Sequence, residues 1–198
     1  MKTLVVFAHP VPESYNTSIF KLVCEELEAK GYELQALDLY EEDFEPRMST
    51  DERRTYMDRD NTALSRKSRK SVEKYMQQLQ WAEALIMVYP TWWMGPPAIL
   101  KGWLDRVWLP SIVADFGPDG VKPRLTNLKK ILIITTQGAS RWRMALIGNP
   151  PRKMMKLSLK AVTKCRDIDW LALYRMDKIT KPQLSQFLEK VHKKIQCF

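Results

Sequence analysis

Leu85-Ile86-Met87-Val88-Tyr89, an unbroken apolar run, leads directly into Pro90-Thr91-Trp92-Trp93-Met94-Gly95-Pro96-Pro97 and then into a second apolar pattern. Five apolar residues closed by a Pro- and Gly-containing loop predict a strand covered on both faces. Beyond the loop, Leu100, Trp103, Leu104, Val107 and Trp108 recur at helical spacing. Strand, loop and helix repeat in both directions along the chain. Leu4 to Ala8, Ile131 to Thr136 and Ile168 to Tyr174 read as further buried strands, and the more mixed Glu33 to Leu39 as a strand nearer a sheet edge. Ile19, Phe20, Val23, Cys24 and Leu27 share one helix face. Leu184, Phe187, Leu188, Val191 and Ile195 share another, behind Thr180-Lys181-Pro182-Gln183, the pattern of a capping box with Pro in the first turn. Alternating strands and helices predict βαβ units with right-handed crossovers, hence an α/β, doubly wound, five-stranded parallel sheet with helices on both faces. At 198 residues the chain is expected to form one domain. The polar stretch Tyr40 to Lys70 departs from this alternation and is expected to be part loop, part surface helix, and a flap over a ligand.

Composition narrows the function. Cys24, Cys165 and Cys197 are odd in number and lie far apart, with no CxxC spacing, which excludes a disulfide framework and a zinc site and suits a reducing cytoplasm. The N-terminal apolar run is too short for a membrane span and lacks a cleavage site, so a soluble chain is expected. The net charge of +9 peaks at Arg66-Lys67-Ser68-Arg69-Lys70. No aromatic residue interleaves that run to stack bases, so it reads as a solvated helix face rather than a nucleic-acid arm. The positive field favours anionic dinucleotides.

In an open parallel sheet, ligands bind beyond the carboxyl ends of the strands. After the first strand comes His9-Pro10-Val11-Pro12-Glu13-Ser14-Tyr15-Asn16-Thr17-Ser18, running into a helix N-terminus where free N–H groups and the helix dipole attract phosphate. His9 fits a phosphate contact, and Asn16 or Thr17 serves equally well as a helix cap. Neither a Walker A loop nor GxGxxG is present. After the third strand, Trp92 and Trp93 with Met94, Gly95 and two prolines form an aromatic shelf suited to a planar ligand. After the fourth, Thr135-Thr136-Gln137-Gly138-Ala139-Ser140 offers hydroxyl and N–H donors for a polar heterocycle edge. No Ser/His/Asp arrangement or metal cluster competes for chemistry, since His9 and His192 are the sole histidines.

Ala8-His9-Pro10, Ser14-Tyr15-Asn16, the run YPTWWMGPPAILKGWLDRVW from Tyr89 to Trp108 and ITTQG from Ile134 to Gly138 together resemble the flavodoxin-like NAD(P)H quinone oxidoreductase family, in its order and spacing and over essentially the whole chain. The resemblance implies a flavin, FAD or alternatively FMN, reduced by NAD(P)H as co-substrate and reoxidised by a quinone-like acceptor. It implies that His9, Ser14, Tyr15, Asn16 and Thr17 hold the flavin's phosphates. Pro90, Thr91, Trp92, Trp93 and Met94 would lie against its ring, and Thr135, Thr136, Gln137 and Gly138 against its polar edge. Two rivals come with it: a single-electron carrier, disfavoured by the basic charge, and a regulatory subunit peripheral to a potassium-efflux transporter.

The chain departs from the family pattern at two places. Some members carry a Tyr and a His after the third loop, whereas Ser140 to Pro150 contains no His. Arg141 and Arg143 take the catalytic role by this reading, either stabilising the reduced flavin or clamping dinucleotide phosphates. Ala114 stands where an aromatic is frequent, which widens the acceptor pocket and leaves Phe116 as its aromatic. The apolar excess on Ala98 to Trp108 predicts a homodimer, with Trp103, Trp108 and Leu109 crossing the interface.

Overall fold

The structure is a computed structural model that describes residues 1–58, 62–117 and 120–198, without the side chains of Ser111 and Phe116. The first half contains β1 (Lys2–Phe7), α1 (Tyr15–Ala29), β2 (Glu33–Asp38), α2 (Thr50–Arg54), α3 (Ala63–Arg69), α4 (Glu73–Trp81) and β3 (Ala84–Pro90). The second contains α5 (Ala98–Val107), α6 (Pro110–Val113), β4 (Ala114–Gly117), β5 (Gly120–Pro123), β6 (Lys130–Thr136), α7 (Arg141–Leu146), α8 (Pro150–Val162), β7 (Asp167–Leu173), a 3₁₀ turn at Met176–Lys178 and α9 (Lys181–Gln196).

The sheet order is β2-β1-β3-β6-β7, all parallel. Side chains of successive strand residues point to opposite faces, and here both faces are apolar. Leu4, Val6, Leu85, Met87, Tyr89, Ile131 and Ile133 pack with α4, α5 and α8 through Leu79, Leu100, Trp103 and Leu159. The alternate residues Val5, Phe7, Ile86, Val88, Leu132 and Ile134 pack with α1 and α9 through Ile19, Val23, Leu27, Phe187, Val191 and Ile195. The five predicted strands and the doubly wound sheet are therefore present. At the start of α9, Gln183 Oε1 accepts from the Thr180 N–H at 3.0 Å, as the capping pattern required.

Three expectations change. The stretch from Tyr40 to Lys70 is loop and short helix, but none of its described residues lines the candidate cleft. It instead covers α5. Buried Arg106 donates from Nε and Nη2 to Glu52 Oε1 at 2.9 and 2.6 Å, and from Nη2 to Ser71 Oγ at 2.9 Å. Gly102 meets Pro46 so closely that a Cβ would overlap it. Trp103, Trp108 and Leu109 are 0%, 8% and 4% exposed, so they pack chiefly into the chain's own core, and of the three Trp108 also lines an apolar hollow at the surface. Ala114 is buried in that core at the start of an antiparallel β4–β5 hairpin that the pattern did not reveal, and does not line the candidate cleft; the side chain of Phe116 lies outside the described residues.

Candidate active site

At the carboxyl ends of β1, β3 and β6 lies a cleft of about 700 Å³, within the usual range of cofactor sites. It is lined by His9, Ser14, Tyr15, Asn16, Pro90, Thr91, Trp92, Trp93, Thr136, Gln137 and Gly138, and also by Met176 and Asp177. The first eleven are sequence-predicted residues gathered into one place. The last two were not anticipated, although the rule that picked the other loops applies equally to Tyr174-Arg175-Met176-Asp177 after β7.

Ser14 caps α1: its Oγ accepts from the Thr17 N–H at 3.1 Å. The N–H groups of Tyr15 and Asn16 then have no acceptor among the described residues, which is the ordinary state of a helix first turn and an anion-binding arrangement. Thr17 spends its hydroxyl on Val11 O and Ser14 Oγ, at 3.2 and 2.9 Å, and does not line the cleft. Tyr15 donates to Leu184 O at 2.8 Å, anchoring α1 to α9, and burial pushes its hydroxyl up to about 12. His9 Nδ1 lies 3.1 Å from Val11 N and 3.3 Å from Val11 O, so the Val11 backbone orients the ring. Burial lowers the His9 pKa from its usual value, against an opposing backbone hydrogen bond, and this favours the neutral ring at pH 7.

The aromatic shelf is a tight turn. Trp92 and Gly95 exchange both backbone hydrogen bonds at 3.0 Å, while the central residues Trp93 and Met94 sit at φ 47° and 59°. Such a turn ordinarily uses Asn and Gly, and each bulky residue in the left-handed region costs about 1–2 kcal/mol. The strain displays an indole: Trp93 is fully exposed within the chain, and Trp92 is 6.1 Å from the His9 ring. Met94 is exposed but lies outside the cleft lining.

Across the cleft, Thr91 N–H donates to Thr136 O at 2.8 Å, and Thr91 and Thr135 share a hydroxyl hydrogen bond at 2.9 Å. Thr135 is thus consumed in joining β3 to β6 and lies behind the wall. Asn16 Nδ2 donates to Thr136 Oγ1 at 2.9 Å, tying the first helix to the fourth sheet position. Gln137 is 3% exposed, and among the described residues neither its Oε1 nor its Nε2 has a partner; Asn16 Oδ1 is in the same state. Leaving such groups unsatisfied costs about 1–3 kcal/mol each, so a ligand that pairs with them recovers that cost. The loop is clamped by Gln137 N–H to Leu173 O at 2.8 Å and Met176 N–H to Gln137 O at 3.0 Å. A Cβ at Gly138 would lie 2.7 Å from Asp177 Oδ2, the tip of an exposed side chain free to turn away.

Arg141 and Arg143 do not line the cleft. Arg141 opens α7 and faces a neighbouring cavity, while the Arg143 guanidinium lies 5.4 Å from the Trp142 ring centroid. No group of three or more His, Cys, Asp or Glu side chains suited to a metal occurs among the described residues, and no helix there is long and apolar enough to cross a membrane.

Comparison with known proteins agrees with this geometry. A ribosyldihydronicotinamide dehydrogenase-like protein of Penicillium crustosum is 34% identical over 156 residues, covering 70% of this chain and 58% of its own length. An NAD(P)H dehydrogenase [quinone] 1 of Cavia porcellus is 33% identical over 148 residues, covering 70% and 54%. The chain thus spans somewhat more than half the length of these relatives. The crystal structure of Smu.1420 from Streptococcus mutans UA159 is 30% identical, covers the whole of both chains and superposes with a TM-score of 0.87. With residues 1–195 matching the family profile, a 2-1-3-6-7 parallel sheet, and the cleft at its carboxyl edge, the chain belongs to the flavodoxin-like fold family.

Proposed function

We propose that the cleft holds a flavin and that the chain transfers a hydride from NAD(P)H through it to a quinone-like acceptor. The observation that carries this reading is the pairing in one lining of the exposed Trp93 indole with Gln137, whose buried carboxamide has no partner among the described residues. A planar heterocycle with a polar edge satisfies both features at once. The relatives named for dehydrogenase and quinone chemistry support it.

The remaining residues divide the work. The free N–H groups of Tyr15 and Asn16, with the His9 ring beside them, receive a phosphate without needing a protein cation. Trp92 and Trp93 cover a ring face, and the Asn16 and Gln137 carboxamides fix its polar edge. When bound, a flavin supplies hydride acceptance and two-electron delivery. Because one cleft serves donor and acceptor in turn, ping-pong kinetics are expected. FAD is the flavin we favour, on the resemblance to quinone reductases, with FMN as the other outcome. The three unpaired cysteines suit a reducing cytoplasm. A second copy of the chain is the inferred partner, covering an apolar hollow of about 420 Å³ formed by Tyr56, Met57, Leu104, Trp108, Met154 and Val162.

The test is direct. Purified protein is expected to be yellow, to release a flavin identifiable by chromatography on denaturation, and to couple NAD(P)H oxidation to quinone reduction. Protein that binds no added FAD or FMN and shows no turnover overturns the reading.

A further inference from the structure

The cleft shares a wall with a larger cavity of about 990 Å³. Gly138 lines the cleft and Arg141 the neighbouring groove; Met176 and Asp177 line the cleft while Arg175 and Lys178, on either side of them, line the groove. The groove's floor is β7, last in the sheet order, and its walls come from α7, α8 and α9. Leu173 O is spent on the β6 side, accepting from Gln137 N–H. Backbone groups of alternate residues therefore turn outward, leaving Ala172 with a free N–H and C=O along the open edge.

Arg141, Arg152, Arg175, Lys178 and Lys190 line this groove, and no carboxylate does. All five are exposed, and among the described residues none has an ion pair or side-chain hydrogen bond. An ordinary surface mixes signs, so five cations around one concavity concentrate a field for an anion. Two further features mark it as built. Arg175 is held at φ 60° with its N–H on Ala139 O at 3.1 Å, fixing the shared wall in a conformation unusual for a long side chain. Asn149, also left-handed at φ 50°, lines the groove with a buried Oδ1 that has no partner, an acceptor for a ribose hydroxyl or an adenine amino group.

We propose that this groove takes the 2′-phosphorylated adenosine half of NADPH, so that the donor reaches across the shared wall and NADPH is preferred to NADH. The inference rests on the flavin oxidoreductase reading above. A 2′-phosphate adds about 1.5–2 negative charges beyond the diphosphate, and arginine forks meet phosphate oxygens in pairs. The adenosine half of a resident FAD has similar chemistry, and the experiment separates the two sources.

Calorimetric titration of the purified holoprotein with 2′,5′-ADP and with 5′-AMP reads the groove without any turnover. The expected result is 2′,5′-ADP binding tighter by about tenfold or more, with the difference shrinking as salt rises. The double variant Arg175→Gln/Lys178→Gln is expected to narrow that difference and to raise KM for NADPH by about tenfold, more than KM for NADH, leaving kcat and the flavin-to-protein ratio unchanged. Arg152→Gln/Lys190→Gln, at the far end of the groove, gives a second reading in a background that leaves the shared wall intact. Equal affinity for the two nucleotides in the wild type overturns the proposal. So does a variant that loses FAD while keeping the nucleotide preference, since the cations then serve the resident cofactor. Holoprotein that turns over NADH and NADPH with equal KM refutes only this inference, whereas absence of flavin and turnover refutes the functional reading and leaves the titration to judge the groove.

Discussion

Trp93 carries a wholly exposed indole on a backbone at φ 47°, an arrangement that contributes nothing to the chain's own packing and costs conformational energy. Trp93→Ala is therefore expected to leave the urea midpoint unchanged while weakening flavin retention by about fivefold, the worth of one aromatic contact. Equilibrium dialysis of the flavin against the variant checks it, and undiminished affinity moves the ring away from this turn. Adjacent tryptophans in a loop were legible because core packing rarely needs both there. Ser14, Asn16 and Gln137 were legible as polar residues at strand ends. Thr17 and Thr135 were not separable from them, because a hydroxyl spent on Val11 O or on Thr91 looks the same in sequence as one aimed at a ligand. Arg141 and Arg143 follow the right loop, but neither lines the cleft: Arg141 lines the neighbouring groove and Arg143 lies against Trp142.

The stretch holding α2 illustrates what periodicity cannot supply. Its five-residue helix has too few turns for an apolar stripe, and its place on α5 is set by one pair, Glu52 and Arg106, 8% and 5% exposed. Burial pushes the Glu52 carboxyl up, but hydrogen bonds from Ser49 and Arg106 outweigh it and leave the pKa below the usual carboxylate value. A carboxyl depressed on folding stabilises the protein above its unfolded value of about 4.3 and loses that contribution as pH falls through the folded value. Glu52→Gln leaves a buried guanidinium without its counter-charge and is expected to cost about 3–5 kcal/mol at pH 7. Urea unfolding from pH 7 down to pH 3 is expected to show the gap between wild type and variant closing at the acid end; a constant gap rejects the ion pair as its cause. The long strands and α1, α5 and α9 were readable because each buries a continuous face. The β4–β5 hairpin was not, since four-residue strands lie below the length at which alternation is distinctive.

As one body, the molecule leaves apolar surface where the sequence did not predict it. Trp103 and Leu109 are internal, yet Met57, 56% exposed, lines the apolar hollow together with Leu104 of α5 and Met154 of α8. A dimer through this side is expected to appear as twice the 23.2 kDa chain mass in light scattering, and Met57→Glu is expected to shift it to monomer. A monomer for the wild type at micromolar concentrations removes the dimer. The cleft, by contrast, is distributed along the whole chain, drawing on residues from His9 to Asp177. Its last wall follows β7 and is clamped to the Gln137 loop by hydrogen bonds that exist only once β7 has paired with β6. During synthesis the ribosome must therefore release the chain through Asp177 before the pocket can close, so the cleft cannot retain a ligand until β7 has joined the sheet.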